Sequence, residues 1–424
     1  LKEDFRDLNI SFDIYHRTSD PLHHETASEF FSYLHERGEL ETRESEQYYD
    51  EAAKTFLADR YIKGTCPNCK SDRAFGDQCE TCGTALSPDE LIDPVSTLSG
   101  NKPVKKKTSH WYLPLGRHEE FLRKWILEEH GGDWRSNVVG QCKSWIEGGL
   151  QSRAVTRDLD WGIPVPGDPK HVMYVWVDAL TNYITGVGFP DEADKNWHYW
   201  PADVHVIGKD IARFHCLLWP AVLISGGLKP PKSVYVHGFI TSGGQKMSKT
   251  LGNVVDPVEY IENFGSDAIR YYLLRYIPSY NDGDFSKERF IEVYNTDLAN
   301  ILGNLIARVA RMLQQFNDGN FELSTASPLD LSDQITEFHF DRALEEIFSR
   351  FTELNVLIDN KKPWELYKTN PHEAVEVLSR IVSEIISLNN NLSAFLPETA
   401  EKISKVFADN KVNGEDLILF PKIQ

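Results

Sequence analysis

No stretch of this chain reaches about 18 consecutive apolar residues, so nothing in it has the length and hydropathy of a bilayer-spanning helix. Internal repeats and low-complexity tracts are also missing, which removes solenoids and arrays. No secretory leader is visible. The chain opens at Leu1 without an initiator methionine, so an N-terminal targeting segment, or much more, is expected upstream. A basic excess is lacking as well: 45 Lys and Arg against 64 Asp and Glu give a net charge of −19. That balance argues against a general nucleic-acid binder, though local basic patches can sit on an acidic body. Lys102 with Lys105, Lys106 and Lys107 is one candidate, and the pair Lys361 and Lys362 another. Each reads first as a solvated face.

What is present fits a soluble globular protein of two to three domains: 424 residues, 41% hydrophobic and 26% charged. Residues 1–45 read as a strand-like piece at 10–14 and a helix from about Pro21 to Gly38, capped by Ser19 or Asp20. His23 and His24 fall in its first turn and are expected to be exposed. Residues 46–160 are rich in turns and short strand pieces and look like an insertion, with a helical stretch near 119–129 and Trp134 and Trp145 as core. From Trp161 the pattern alternates: strand 173–177, helix 179–185, strand 204–207, helix 210–223, strand 233–236. Such alternation implies a parallel sheet and an α/β fold class. Helices at 257–264 and 267–276 follow, then long amphipathic stretches at 286–317, 337–359 and 372–394 that suit an up-down bundle.

Four of the six cysteines form Cys66-Pro-Asn-Cys69 and Cys79-Glu-Thr-Cys82. Two such knuckles can wrap one Zn²⁺ tetrahedrally, and four thiolates leave no open position, so the site reads as structural. Two disulfides or a redox pair are the rivals; disulfides need an oxidising compartment, which nothing here suggests. Cys142 and Cys216 have no partner nearby in sequence and read as small buried hydrophobes.

The most informative segment is Gly243-Gly244-Gln245-Lys246-Met247-Ser248-Lys249-Thr250. Two ammonium groups three residues apart on a glycine-hinged loop suit a polyphosphate that must be neutralised while it reacts. The bland alternative is a solvated turn. Upstream, open α/β sheets bind ligands at the carboxyl ends of their strands. There Gly208-Lys209-Asp210 offers a carboxylate for a ribose hydroxyl. Ile211, His215 and Trp219 recur at i, i+4 and i+8, while Ala179 and Tyr183 are also i, i+4. With Trp176 these describe a narrow apolar slot holding one imidazole; singly, each aromatic would read as ordinary core.

The lysine segment resembles the mobile loop of class I aminoacyl-tRNA synthetases. The strings 174–183 (YVWVDALTNY), 205–211 (HVIGKDI), 214–220 (FHCLLWP) and 237–240 (HGFI) are similar to bacterial-type methionyl-tRNA synthetases, over nearly the whole chain. The resemblance implies a Rossmann-type catalytic domain with a zinc-binding connective insertion and a C-terminal helical bundle. Its divisions would be 1–45, end of the first catalytic half; 46–160, the insertion; 161–245, the second half; 246–285, lysine loop and stem contact; 286–424, anticodon binding. It implies a methionine pocket of Trp176, Ala179, Leu180, Tyr183, Ile211 and His215, with Arg157 near the amino acid. Leu180 stands where some members have proline. Gly208, Asp210, His237, Lys246 and Lys249 would hold ATP with its Mg²⁺, both lysines being catalytic. Asn304 and Arg308, four apart on the flank of the Leu298-Leu302-Leu305-Val309-Leu313 stripe, and Trp364 after Pro363 would read the anticodon. Their alternative is a polar flank pair and a core tryptophan.

The main departure is the family's His-Ile-Gly-His signature, which does not occur here. The sequence as written is therefore expected to be truncated and, alone, a poor enzyme. The expected activity is ATP-dependent methionine activation and transfer to tRNA(Met), by a monomer in the cytoplasm. The rivals are another class I synthetase for an apolar amino acid and a non-catalytic tRNA-binding remnant.

Overall fold

Asp20 starts the first long helix. Its carboxylate accepts from the Leu22 N–H at 3.0 Å, and Pro21 takes the first position, where a missing N–H costs nothing. The resulting helix, Pro21–Glu36, buries Phe30, Phe31 and Leu34 against Val177, Leu180 and Ile184 of helix Val175–Thr185. In this computed structural model residues 2–82, 84, 86–247, 252–326, 328–414 and 417–423 are described. They fall into two units, residues 13–236 and residues 1–12 with 237–424.

In the first unit the antiparallel pair Glu41–Asp50 and Val104–Leu113 is flanked by Thr55–Phe56 and Arg153–Ala154. The cysteine knuckles ride on a separate small sheet of Ala74–Phe75, Ile62–Thr65 and Ile92–Ser96, with a core of its own that includes Leu57, Ile62 and Leu86. Lys105, Lys106 and Lys107 face Asp89, Glu51 and Glu44 at 2.7, 3.8 and 2.8 Å, as a paired solvated face would. Strand His205–Gly208 lies beside Val234–His237, and Ile207, Val234 and Val236 join Trp134 and Ile146 in a third core.

Three local expectations need correction, and Cys142 and Cys216, buried as expected, prove to be neighbours. Residues 10–14 form no strand; the alternation of Ile10, Phe12 and Ile14 meets no ladder among the described residues, and the chain passes here from one unit to the other. The strand expected at 173–177 lies upstream at Asp168–Met173, and Val175 already opens a helix, so Trp176 sits in a first helical turn. His23 is fully buried instead of exposed. Its Nε2 meets Asp178 Oδ1 at 2.7 Å and its Nδ1 meets Thr185 Oγ1 at 3.0 Å, which satisfies both nitrogens. Cys142 and Cys216, distant in sequence, face each other in the third core, where that contact and burial push the Cys216 thiol far up.

In the second unit, Ile240–Ser242 pairs with Gln245–Lys246 through a turn at Gly243 and Gly244, whose φ of 63° and 71° favour glycine. It also pairs in parallel with Gly283–Phe285. The rest is helical: Pro257–Phe264, Ser266–Arg275, Lys287–Val293, Asn304–Asn317, Phe340–Lys361, Pro371–Leu392 and Pro397–Val406 share one core. The stripe Leu298, Leu302, Leu305, Val309 and Leu313 is buried there, as its spacing requires. Among the described residues no helix is long and apolar enough to cross a membrane.

Candidate functional site

Helix Val175–Thr185 and the helical segment Phe214–Leu218 bring the aromatic residues together. The Trp176 and His215 rings lie edge to face at 6.3 Å, and Tyr183 and His215 at 5.8 Å. His215 Nδ1 is 3.1 Å from the Ile211 carbonyl, which can only accept, so Nδ1 carries the proton. Nε2 is therefore the acceptor for the Tyr183 hydroxyl, at 3.1 Å. Burial, opposed by the bond to Ile211, lowers the His215 pKa below the usual imidazole value and keeps the ring neutral. The slot thus presents aromatic faces and a neutral, fully engaged imidazole.

Two aromatic partners were not singled out from the sequence. Phe214 stacks on Trp176 at 4.1 Å and 11°, and His205 stacks on Tyr183 at 4.3 Å and 21°. The signal for Phe214 was its place one residue before His215; for His205 it was strand alternation with Ile207. His205 is 3% exposed and neither ring nitrogen has a partner among the described residues. Of the remaining predicted pocket residues, Ala179 is half-buried, while Leu180 and Trp219 belong to the core beneath.

Trp176, Asp210 and Ile211 line a cavity of about 170 Å³ together with Arg60, Asp77 and Arg153. Arg60 is held by Asp77 at 2.8 Å and by Glu80, inside the second knuckle, at 2.6 Å. The cysteine module therefore forms one wall of that cavity. Asp210 is exposed in a short turn after strand His205–Gly208, and a Cβ at Gly208 would come within 2.8 Å of its Oδ1. Arg157 lines a different cavity; its guanidinium lies over the Tyr174 ring at 3.9 Å and pairs with Asp59 at 3.3 Å.

Cys66, Cys69, Cys79 and Cys82 converge, with Sγ–Sγ separations of 3.8 Å for Cys66–Cys82 and 3.6 Å for Cys69–Cys79. Four sulfurs about 2.3 Å from a common zinc would be about 3.8 Å apart, whereas a disulfide needs about 2.05 Å. The thiols are free and the cluster fits a metal.

In the second unit His237 Nδ1 contacts the Gly238 carbonyl at 2.6 Å, and Lys246 Nζ lies 4.8 Å from the Phe239 ring centre. Lys249 lies outside the described residues. Arg308 and Trp364 come together at 6.0 Å. Arg308 also pairs with Asp359 at 2.8 Å, and Asn304 is exposed one turn before it. Lys362, with φ of 44°, ends one helix and Pro363 begins the next; Trp364 stays 39% exposed, against the core alternative.

This architecture is that of a class I tRNA synthetase, and the family model described as "tRNA synthetases class I (M)" matches residues 1–310. The methionine–tRNA ligase of Porphyromonas gingivalis is 41% identical over 440 residues, covering 98% of this chain and 64% of that protein. That of Parabacteroides distasonis is 41% identical over 449 residues, 99% of this chain and 65% of its own. Among solved structures, Mycobacterium tuberculosis methionyl-tRNA synthetase in complex with methionyl-adenylate superposes with a TM-score of 0.80 at 28% identity, covering 99% of this chain and 85% of that one. The chain belongs to the methionine–tRNA ligase family. It spans less than two thirds of the length of the two curated relatives.

Proposed function

We propose that this protein activates L-methionine with ATP and passes the methionyl group to tRNA(Met). The observation that carries the reading is the aromatic slot of Trp176, Tyr183 and His215 next to the cavity that Trp176 and Asp210 share. A thioether is a weak acceptor with a polarisable body, so it suits aromatic faces and a ring with no spare donor. Ala179, Leu180 and Ile211 complete the niche in this reading, and Arg157 acts from the neighbouring cavity.

In the first step the methionine carboxylate attacks the α-phosphorus of ATP and pyrophosphate departs. In the second, the terminal ribose hydroxyl of tRNA attacks the acyl carbon and AMP leaves. Little acid-base work is needed. Positioning in line and neutralising charge do most of it. Gly208 and Asp210 hold the nucleoside, His237 supports it, and Lys246 and Lys249 neutralise the phosphates that arrive with Mg²⁺. Asn304, Arg308 and Trp364 read unstacked anticodon bases by hydrogen bonds and stacking. The four cysteines hold a structural Zn²⁺ that fixes the knuckle wall. The relatives' activity, the monomeric state, the cytoplasmic setting and the five-part division at 45, 160, 245 and 285 belong to the same proposal.

ATP–pyrophosphate exchange by the full-length gene product, across a panel of apolar amino acids, tests it. Methionine should dominate. A stronger signal with leucine or isoleucine would assign a different substrate, and no exchange with any amino acid would leave a tRNA-binding protein.

A further inference from the structure

Outside this site, three neighbouring strands assemble a second set of metal-competent side chains. His110 comes from Val104–Leu113, His171 from Asp168–Met173, and Asp158 follows Thr156–Arg157. His110 Nε2 is 3.0 Å from Asp158 Oδ2, and His171 Nε2 is 3.2 Å from Asp158 Oδ1. Both imidazoles are at least 90% buried.

The proton count points to a cation here. His171 Nδ1 lies 2.8 Å from Asp168 Oδ2, and a carboxylate only accepts, so Nδ1 carries the proton. In the neutral ring Nε2 is then a lone pair facing a carboxylate oxygen. Two acceptors at that distance repel unless something positive sits with them, either a second proton on the ring or a metal ion.

We propose that His110, His171 and Asp158 bind a divalent d-block cation, in a site distinct from the four-cysteine cluster. Two imidazoles and one carboxylate suit zinc, iron(II), cobalt(II) or nickel(II), and offer too few oxygens for magnesium or calcium. The ligand atoms of the three residues lie within 4.8 Å of one another. The ring centres are 5.0 Å apart. Metal–nitrogen bonds of about 2.1 Å would place two such rings about 4.6 to 5.3 Å apart for angles from about 90° to 109°.

The surrounding contacts are those a metal-binding histidine needs, since its other nitrogen is normally anchored. His171 has Asp168, which is itself fixed by Trp111 Nε1 at 3.3 Å. His110 Nδ1 has Thr156 Oγ1 at 3.0 Å, and Asp158 accepts from the Thr108 hydroxyl at 2.9 Å. His110 also lines the cavity of about 170 Å³ shared with Arg157 and Tyr112, which gives an ion a route in.

Titration of the metal-stripped chain with cobalt(II) under reducing conditions tests the site. We expect two equivalents per chain. One should carry intense thiolate charge-transfer absorption, and the other only weak visible bands of nitrogen and oxygen ligation. His171→Gln and, separately, Asp158→Asn should abolish the weak-band equivalent and keep the thiolate one, which also reports that the fold survives. Asp168→Asn should weaken the second equivalent by about 10- to 100-fold without abolishing it. A single equivalent bearing the thiolate signature would overturn the proposal and leave the cluster as imidazolium–carboxylate pairs. Persistence of the weak bands in both ligand variants would overturn it equally.

Discussion

His205→Phe isolates the electrostatic cost of one buried imidazole. The ring is 3% exposed, and burial, then the neighbouring His215, pull its pKa from 6.5 to about 3. With the native value depressed, the folded ring stays neutral while the unfolded chain takes up a proton below 6.5. Its share of stability is therefore complete above that pH and drains away as pH falls towards 3. At about pH 5 the unfolded state gains RT ln(1 + 10^1.5), about 2 kcal/mol, and at about pH 7.5 almost nothing. Phenylalanine keeps the stack on Tyr183 at 4.3 Å and removes two buried nitrogens that have no partner among the described residues. Urea melts at both pH values should thus show wild type losing about 2 kcal/mol more than the variant between about pH 7.5 and 5. At the higher pH the variant should be no less stable, because an unmade buried hydrogen bond costs about 1–3 kcal/mol. Equal acid losses in the two proteins would mean that the ring protonates in the folded state, and the reasoning would fail.

Three further outcomes are expected of the full-length gene product. Gly208→Ala should push the Asp210 carboxylate off its position, because the new Cβ would meet Oδ1 at 2.8 Å. Losing one charge-assisted hydrogen bond, about 1.5 kcal/mol, should raise the KM for ATP about tenfold with no change in Tm; an unchanged KM would remove Asp210 from nucleotide binding. Lys249→Ala should slow pyrophosphate exchange by about 10²-fold while sparing the KM for methionine, and a large rise in that KM would contradict a phosphate role. Trp364→Ala should cut tRNA charging about 5- to 150-fold, the value of about 1–3 kcal/mol for one stacked base. Exchange should be unaffected, and parallel loss of both would assign the indole to folding.

The helical bundle was legible because burial imposes a period. Leu298, Leu302, Leu305, Val309 and Leu313 repeat at three to four residues, and the core they form needs no other information. The knuckles were legible for a different reason: two short loops dictate where four thiolates go. His23 defeats such reasoning. Its burial depends on Asp178, 155 residues away, arriving at 2.7 Å, and no local pattern announces a partner across that distance. The same holds for Cys142 and Cys216, whose meeting exists only once two helical segments pack. The misplaced strand at 173–177 was an error of period. A run of Val, Tyr and Trp has strand propensity, yet tertiary packing against Phe30 and Phe31 selects a helix from Val175 onward.

The wall built by the cysteine module shows where sequence spacing stops informing chemistry. Arg60 and Asp77 precede Trp176 and Asp210 by about a hundred residues or more, yet all four line one cavity. Arg60 is fixed there through Glu80, which sits between two of the thiols, at 2.6 Å. The second knuckle and the cavity wall beside Asp210 are therefore linked through that ion pair. That link is mechanical: when the second knuckle loses its geometry, Arg60 loses one of the two carboxylates that aim it and is left with Asp77 at 2.8 Å.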